Sequence, residues 1–262
     1  MEIDLFCIEP DSALIPRIQR NCATYPLRVK GVSAHDGVAV LVGGGPSVRD
    51  KISSIRKRRD LGQSIFALNG AAKFLNDNGI VPDYQVILDP QDFMVDYFGD
   101  ARDYLLASQC HPDVLAASPK PPILWHIAME GREEITPHHP AGDCLVGGGY
   151  TVGLCAMCLV YARGFREIHI YGYDSSSTEQ GDHAYPCPIK GVDRVFDTTQ
   201  DVVVTIGSKS FRTTFSLAKQ AQTFPKLCAD LISAGCLITV DSGGLLQAVV
   251  EENNRLNAAE AA

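Results

Sequence analysis

Residues 38–69, VAVLVGGGPSVRDKISSIRKRRDLGQSIFALN, restrict the fold of this chain more than any other stretch. Val38–Val42 is an unbroken apolar run rich in β-branched residues. That is the pattern of a strand buried on both faces, as in parallel sheets covered by helices. Gly43, Gly44 and Gly45 follow at once, then Pro46 and Ser47. Proline lacks the amide hydrogen that a first helical turn leaves unpaired, and serine can cap, so this is a helix start. Val48, Ile52 and Ile55 then recur at helical spacing, with Arg and Lys on the opposite face. In such a strand–glycine–helix unit, exposed backbone N–H groups and the positive helix end can hold a phosphate, and glycine lets the backbone come close. Tight βα turns that bind nothing look the same, so these residues alone leave the two readings level. No Gly-Lys-Ser/Thr follows, which excludes a Walker loop, and Val48 excludes a full G-x-G-x-x-G.

At 262 residues the chain suits one large α/β domain or two small ones. Hydrophobic residues make up 45% and charged residues 21%, an ordinary globular composition. A net charge of −8 and a pI near 5.3 argue against a duplex-DNA-binding surface spread over the molecule. The densest basic cluster, Lys51 with Arg56, Lys57, Arg58 and Arg59, reads as a solvated helix face. No apolar run approaches the ~20 residues of a membrane span, and the acidic start MEIDLFCIEPD lacks a signal-peptide layout. The nine cysteines show no metal-type pairing. Cys155 and Cys158 have C-x-x-C spacing but sit inside the helical pattern LCAMCLVYA, as small core residues. A reduced, cytoplasmic setting is expected.

The pattern predicts an α/β chain: a Rossmann-like three-layer domain with a mostly parallel sheet and a small β-hairpin insertion. Residues 1–37 form an N-terminal lead-in packed on the core, 38–252 the domain, and 253–262 a frayed tail. Strands are expected at Ser64–Leu68, Gln85–Leu88, Tyr104–Ala107, Ile123–His126, Glu167–Tyr171 and Leu237–Val240, with helices at Ala71–Asn78, Val152–Arg163, Phe215–Ala234 and Gly243–Val250. Asp92–Tyr97 suits a short helix, and Arg194–Asp197 with Val202–Ile206 a hairpin. Residues 130–142, which include His138 and His139, read as a solvated loop. A second glycine run, Gly147–Gly149, precedes Thr151 and an apolar helix, so the strand–glycine–helix–strand unit occurs twice. Two such units facing one crevice would make a nucleotide-sized site, with Asn69 and Asp89 at the ligand-binding edge of the sheet. Residues 178–193, rich in Pro and Gly, read as a loop over that edge.

GGGPS after a strand, then Asn69, then GIVPDYQVILD, then GGGYTVGLCAMCLVYARGFREIHIYGYDSSS together resemble the DUF115 group of MptE-like proteins. That group is named for an archaeal 6-hydroxymethylpterin diphosphokinase and includes domains of flagellin-modifying glycosyltransferases and many phage-encoded proteins. The order of elements is also similar to that of single-domain bacterial sialyltransferases, which use a CMP-sugar. The resemblance spans roughly residues 35–250 and is specific for the family, much less so for the reaction. It implies a Rossmann-like sheet holding a nucleotide-activated donor between the two glycine turns. By that match Gly43, Gly44, Gly45, Pro46 and Ser47 hold the donor phosphate or nucleotide, and Asn69 lies near its ribose or phosphate. Gly148 and Thr151 line the opposite wall, and Asp174 lies on the acceptor side. His183, in the HAY of residues 183–185, resembles the general base of the sialyltransferases. The chain departs from the archaeal diphosphokinases at their acidic D-x-D pair. Here the strand ends Leu88-Asp89-Pro90-Gln91-Asp92, which keeps one carboxylate in place and weakens the kinase reading.

Glycosyl transfer needs a base for the acceptor hydroxyl and a partner for the departing phosphate. His183, in a polar loop beside Asp182 and Tyr185, suits the first task, and a surface histidine of no function is its plain alternative. Backbone amides at Gly43–Ser47, with Tyr173 or Tyr185, suit the second without metal. Asp89 suits a magnesium ion or the donor ribose, or a simple Asp-Pro turn. Asp174 suits orienting the histidine or holding the acceptor, or capping the segment after Ser175. His126, His169 and Trp125 read as core residues. The expected activity is therefore a transferase using a CMP- or UDP-sugar, with an ATP- and Mg-dependent diphosphokinase or a non-catalytic nucleotide-binding protein as alternatives. The expected partners are a small-molecule donor and a hydroxyl acceptor, with no membrane. The acidic balance lends no support to a nucleic-acid acceptor, a homo-oligomer stays open, and a phage-encoded chain would work in the host cytoplasm.

Overall fold

The computed structural model describes residues 9–128, 135, 138–149, 151–179, 181, 183–185 and 201–260. Ten strands are described: β1 (His35–Val42), β2 (Ser64–Leu68), β3 (Tyr84–Ile87), β4 (Asp103–Ala107), β5 (Ile123–Ile127), β6 (Leu145–Val146), β7 (Phe165–Tyr171), β8 (Asp201–Ile206), β9 (Lys209–Thr214) and β10 (Leu237–Asp241). The seven helices are α1 (Asp11–Thr24), α2 (Ile52–Asp60), α3 (Ala71–Asp77), α4 (Pro112–Ala116), α5 (Val152–Ala162), α6 (Phe215–Ser233) and α7 (Gly244–Glu260). Eight strands form one sheet in the order β10-β7-β1-β2-β3-β4-β5-β6, and every pairing in it is parallel.

Because side chains alternate across a strand, each strand feeds two cores. Val40, Val42, Ile65 and Ala67 face α2 and α3, where they meet Ile55, Ala71 and Leu75. Ala39, Leu41, Phe66 and Leu68 share the opposite core with Leu154, Met157 and Leu159 of α5 and Phe224 of α6. This is the expected three-layer α/β arrangement. Helix α5 is buried almost all round, which is why LCAMCLVYA reads as apolar without a polar stripe. Cys155 and Cys158 in it are free, and burial raises both thiols, that of Cys158 to about 11. Trp125 is likewise fully buried, its indole N–H donating to the Leu105 carbonyl.

Three expectations need correction. The partner of Val202–Ile206 is Lys209–Thr214, across a tight turn in which Gly207 has φ +58°. Arg194–Asp197, the segment first paired with it, lies outside the described residues. The second correction is that the last helix, α7, runs to Glu260, ten residues past the Val250 expected as its end. The third concerns His139, which is 8% exposed instead of solvated. Its ring lies 4.4 Å from that of His126, itself 1% exposed at the end of β5. His126 Nε2 is 2.8 Å from Asp143 Oδ2, which also accepts from Arg28 Nε at 3.0 Å. Among the described residues no helix is long and apolar enough to cross a membrane.

Burial pushes the His126 ring below its ordinary value and that of His139 to about 4, against the attraction of Asp143. An unfolded histidine protonates near 6.5, so the unfolded chain gains protons that the folded one refuses. Stability from this pair is complete above pH ~6.5 and drains away as pH falls toward ~4. The stability deficit of His139→Phe relative to the wild type is therefore expected to narrow over that interval, measured by urea unfolding at stepped pH. A deficit independent of pH would show that the ring is not held neutral.

Candidate functional site

The strand order fixes where a ligand can sit. From β1 the chain steps outward through β2, β3, β4, β5 and β6, then returns to lay β7 on the other side of β1. The crevice at the carboxyl ends of β1 and β7 is thus the topological switch point, the usual ligand position in open parallel sheets. Gly43–Ser47 leave β1 at this point and Gly172–Asp174 leave β7.

These two loops are bound to each other. Gly43 N–H donates to the Tyr171 carbonyl and Gly45 N–H to that of Gly172, both at 2.8 Å. A Cβ on Gly43 would lie 2.5 Å from the Gly172 carbonyl oxygen, and one on Gly45 2.7 Å from it, so no larger residue fits either place. Asp174, 3% exposed, is the centre of the contact. Its carboxylate accepts from Ser47 N–H at 2.7 Å, from the Ser47 hydroxyl and from Gly243 N–H at 3.1 Å. The Asp174 carbonyl also accepts from Leu246 N–H at 3.1 Å. One carboxylate thereby caps the 3-10 helix Pro46–Lys51 that follows the glycines and the turn that opens α7.

Of the amides expected to cradle a phosphate, those of Gly43, Gly45 and Ser47 are thus spent inside the protein, and Pro46 has none. Only the Gly44 N–H has no partner among the described residues. A carboxylate of the chain itself stands where a ligand anion would meet the helix start.

The HAY segment lies on this turn. Ala184 N–H donates to the Gly44 carbonyl at 2.9 Å. Arg49 Nε donates to the Ala184 carbonyl at 2.9 Å, and a second guanidinium nitrogen to that of His183 at 3.0 Å. A Cβ on Gly44 would collide with the Tyr185 hydroxyl and approach the His183 ring to 2.9 Å. The Tyr185 ring also covers Gly70, and the His183 and Tyr185 centroids are 5.4 Å apart. The expected candidates Gly44, His183 and Tyr185 are therefore together, at the switch point. The other residues of the 178–193 loop that lie outside the described set are 180, 182 and 186–193.

Asn69 ends β2 beside them in the left-handed region, with φ +48°. Its carbonyl accepts from Gln85 Nε2, its N–H donates to Val86, and its buried side-chain Oδ1 has no hydrogen-bond partner among the described residues. A strained residue with an unspent acceptor at a strand end marks a place where a ligand can complete the bonding.

The remaining candidates lie elsewhere. Asp89, at the end of β3, accepts from Gln91 N–H at 3.0 Å. Burial, with Glu9 nearby, holds its carboxyl above the usual range. No hydrogen bond or ion pair among the described residues joins it to the glycine turn or to His183, and no group of three or more His, Cys, Asp or Glu there is arranged to hold a metal ion. The second glycine run follows β6, with β2 to β5 between it and β1. It folds back on α5: Gly148, φ +111°, packs on the Leu154 carbonyl. Thr151 caps α5 at Leu154 N–H and donates to Gln220, whose amide donates to Ser175 at 2.9 Å. Thr151 thus reaches the β7 loop through Gln220. Tyr173 packs its ring on Gly43 but turns its hydroxyl inward to donate to Gly153, so of the two tyrosines only Tyr185 brings its hydroxyl to the turn. Arg49, Gln85 and Gln220 carry no motif and act on partners far away in sequence, which hides them from any local reading.

Removing the Asp174 side chain orphans donors in both caps. Asp174→Ala is expected to cost about 2–4 kcal/mol of stability in denaturant unfolding. A loss under ~0.5 kcal/mol, the range of an ordinary surface change, would show that the clamp is not needed.

Seven solved chains match the fold. One is the structure of MAf glycosyltransferase from Magnetospirillum magneticum AMB-1, with a TM-score of 0.65 and 19% sequence identity over 92% of this chain. The match covers 38% of that larger protein, so the likeness concerns the fold of one part of it. No curated protein matches the chain in sequence. Residues 14–180, well over half of the chain, match the family described as 6-hydroxymethylpterin diphosphokinase MptE-like, and the protein is a member of that MptE-like family.

Proposed function

We propose that this protein is a transferase using a nucleotide-activated donor, and that it moves a sugar from a CMP- or UDP-sugar to an acceptor hydroxyl. The observation that carries this reading is the docking of His183–Tyr185 on the Gly44 turn at the switch-point crevice. His183 takes the proton of the acceptor hydroxyl as its oxygen attacks the anomeric carbon. The bond from that carbon to the donor phosphate breaks, and the nucleotide leaves with the electron pair. Tyr185 and the Gly44 N–H are the donors the turn offers to the developing phosphate charge. Asn69 Oδ1, an acceptor, suits a ribose hydroxyl. Thr151 braces the β7 loop through Gln220, while Gly148 packs against α5. Asp174, committed to Ser47 and Gly243, serves by holding the turn. The MAf neighbour, named as a glycosyltransferase, supports the same class.

The family description favours a second reading, a diphosphokinase that passes pyrophosphate from ATP to a hydroxymethyl acceptor. Magnesium bridging the ATP phosphates would supply the charge neutralisation, with Asp89 the carboxylate available to hold it.

A thermal-shift panel of CMP, UDP, GDP, ADP and ATP, each with and without magnesium, separates the two. Stabilisation by CMP or UDP without magnesium is expected. Stabilisation by ATP alone, dependent on magnesium and lost in Asp89→Asn, would replace glycosyl transfer by the kinase. No shift with any nucleotide would leave a non-catalytic role. His183→Ala is expected to lower turnover by about 10²–10⁴-fold.

Asn69→Gly removes backbone strain along with the acceptor. Its melting temperature in buffer should equal or exceed that of the wild type, while the nucleotide-induced shift shrinks. An undiminished shift would remove Asn69 from the binding site.

A further inference from the structure

We infer that Arg49 is the positioning residue of this site, the group that sets where His183 stands; the inference rests on the general-base reading above. Among the described residues, three hydrogen bonds join the main chain of His183–Tyr185 to the glycine turn and the helix that follows it. One comes from Ala184 N–H to the Gly44 carbonyl, and the other two are made by Arg49. The planar guanidinium bridges two successive carbonyls, those of His183 and Ala184, at 3.0 and 2.9 Å. A fork of fixed geometry can do this, whereas a lysine ammonium offers only a point charge on a flexible stem.

The direction of the contact matters. Arg49 reaches residue 183 through its backbone carbonyl, so it fixes the origin of the ring through the main chain. Arg49 itself is well founded. It lies in the 3-10 helix Pro46–Lys51, next to Val48, which is fully buried, and two residues from Ser47, which Asp174 holds from the β7 side. The Asp174 clamp thus fixes the helix and the helix projects Arg49, which in turn holds the histidine segment over Gly44. Proximity of a base to its proton is sensitive to displacements near 1 Å, so loosening this fork should cost rate more than affinity.

Amide hydrogen exchange tests the clip without any substrate. In Arg49→Ala the Ala184 N–H is expected to exchange about tenfold faster or more, as a bond in a loosened segment opens more often. Arg49→Lys should fall between that variant and the wild type. Hydrolysis of CMP-sialic acid and UDP-N-acetylglucosamine, with water replacing the acceptor, then tests the consequence. For whichever donor is cleaved, Arg49→Ala should lower kcat about tenfold while the donor KM stays within about twofold, and Arg49→Lys should restore part of kcat. Unchanged exchange at Ala184 overturns the inference. So does faster exchange with wild-type kcat when His183→Ala, measured alongside, is impaired. If His183→Ala is itself unimpaired, the general-base reading has failed instead, and the exchange result still reports whether Arg49 holds the segment.

Discussion

The contact of Asp174 with Ser47 and Gly243 holds three strand ends at once. β1, β7 and β10 all deliver loops to this carboxylate, and each loop has a group that burial would leave costly if unpaired. A tight crossing of three loops leaves little room for side chains. Gly43, Gly45, Gly172, Gly243 and Gly244 meet that requirement, and Gly172 and Gly244 in addition take up positive φ. The glycines are thus as much a consequence of the clamp as an approach for a ligand.

That reassigns what a familiar motif does. A strand, three glycines and a helix start suggest open amides waiting for a phosphate, yet here the chain supplies its own anion. What faces a ligand at this turn is made of side chains on neighbouring loops: the Asn69 acceptor, with Tyr185 and His183 packed over Gly44. Asn69 is held in its strained conformation by Gln85, which is fully buried on β3 and also binds Tyr97 and Gly99. The strain at the crevice is therefore anchored deep in the sheet.

The layers of the fold were legible because buried parallel strands are written as continuous apolar runs. Val38–Val42 and Ser64–Leu68 could be placed from composition and glycine punctuation alone. β9 could not: KSFRTT has a single large apolar residue, and its pairing depends on the Gly207 turn. The site divides in the same way. Its turns were visible as glycine runs, but Asp174 reaches Ser47 across 127 positions and Arg49 reaches Ala184 across 135. Contacts of that separation leave no local period to read. His139 was misplaced because a polar, proline-marked segment gives no sign that its ring packs on His126 of β5, 13 residues back.

The sheet is lopsided about its crevice, with two strands on one side of β1 and five on the other. All the loops tied to Asp174 come from the short arm and from β1 itself. The long arm contributes Asn69 next to the crevice and then β3 to β6, whose carboxyl ends stand progressively farther out. Sequence can therefore vary along that outer arm with little mechanical effect on the clamp. In such a layout the short arm and β1 carry the fixed crossing, and the outer strands can be rebuilt without loosening it.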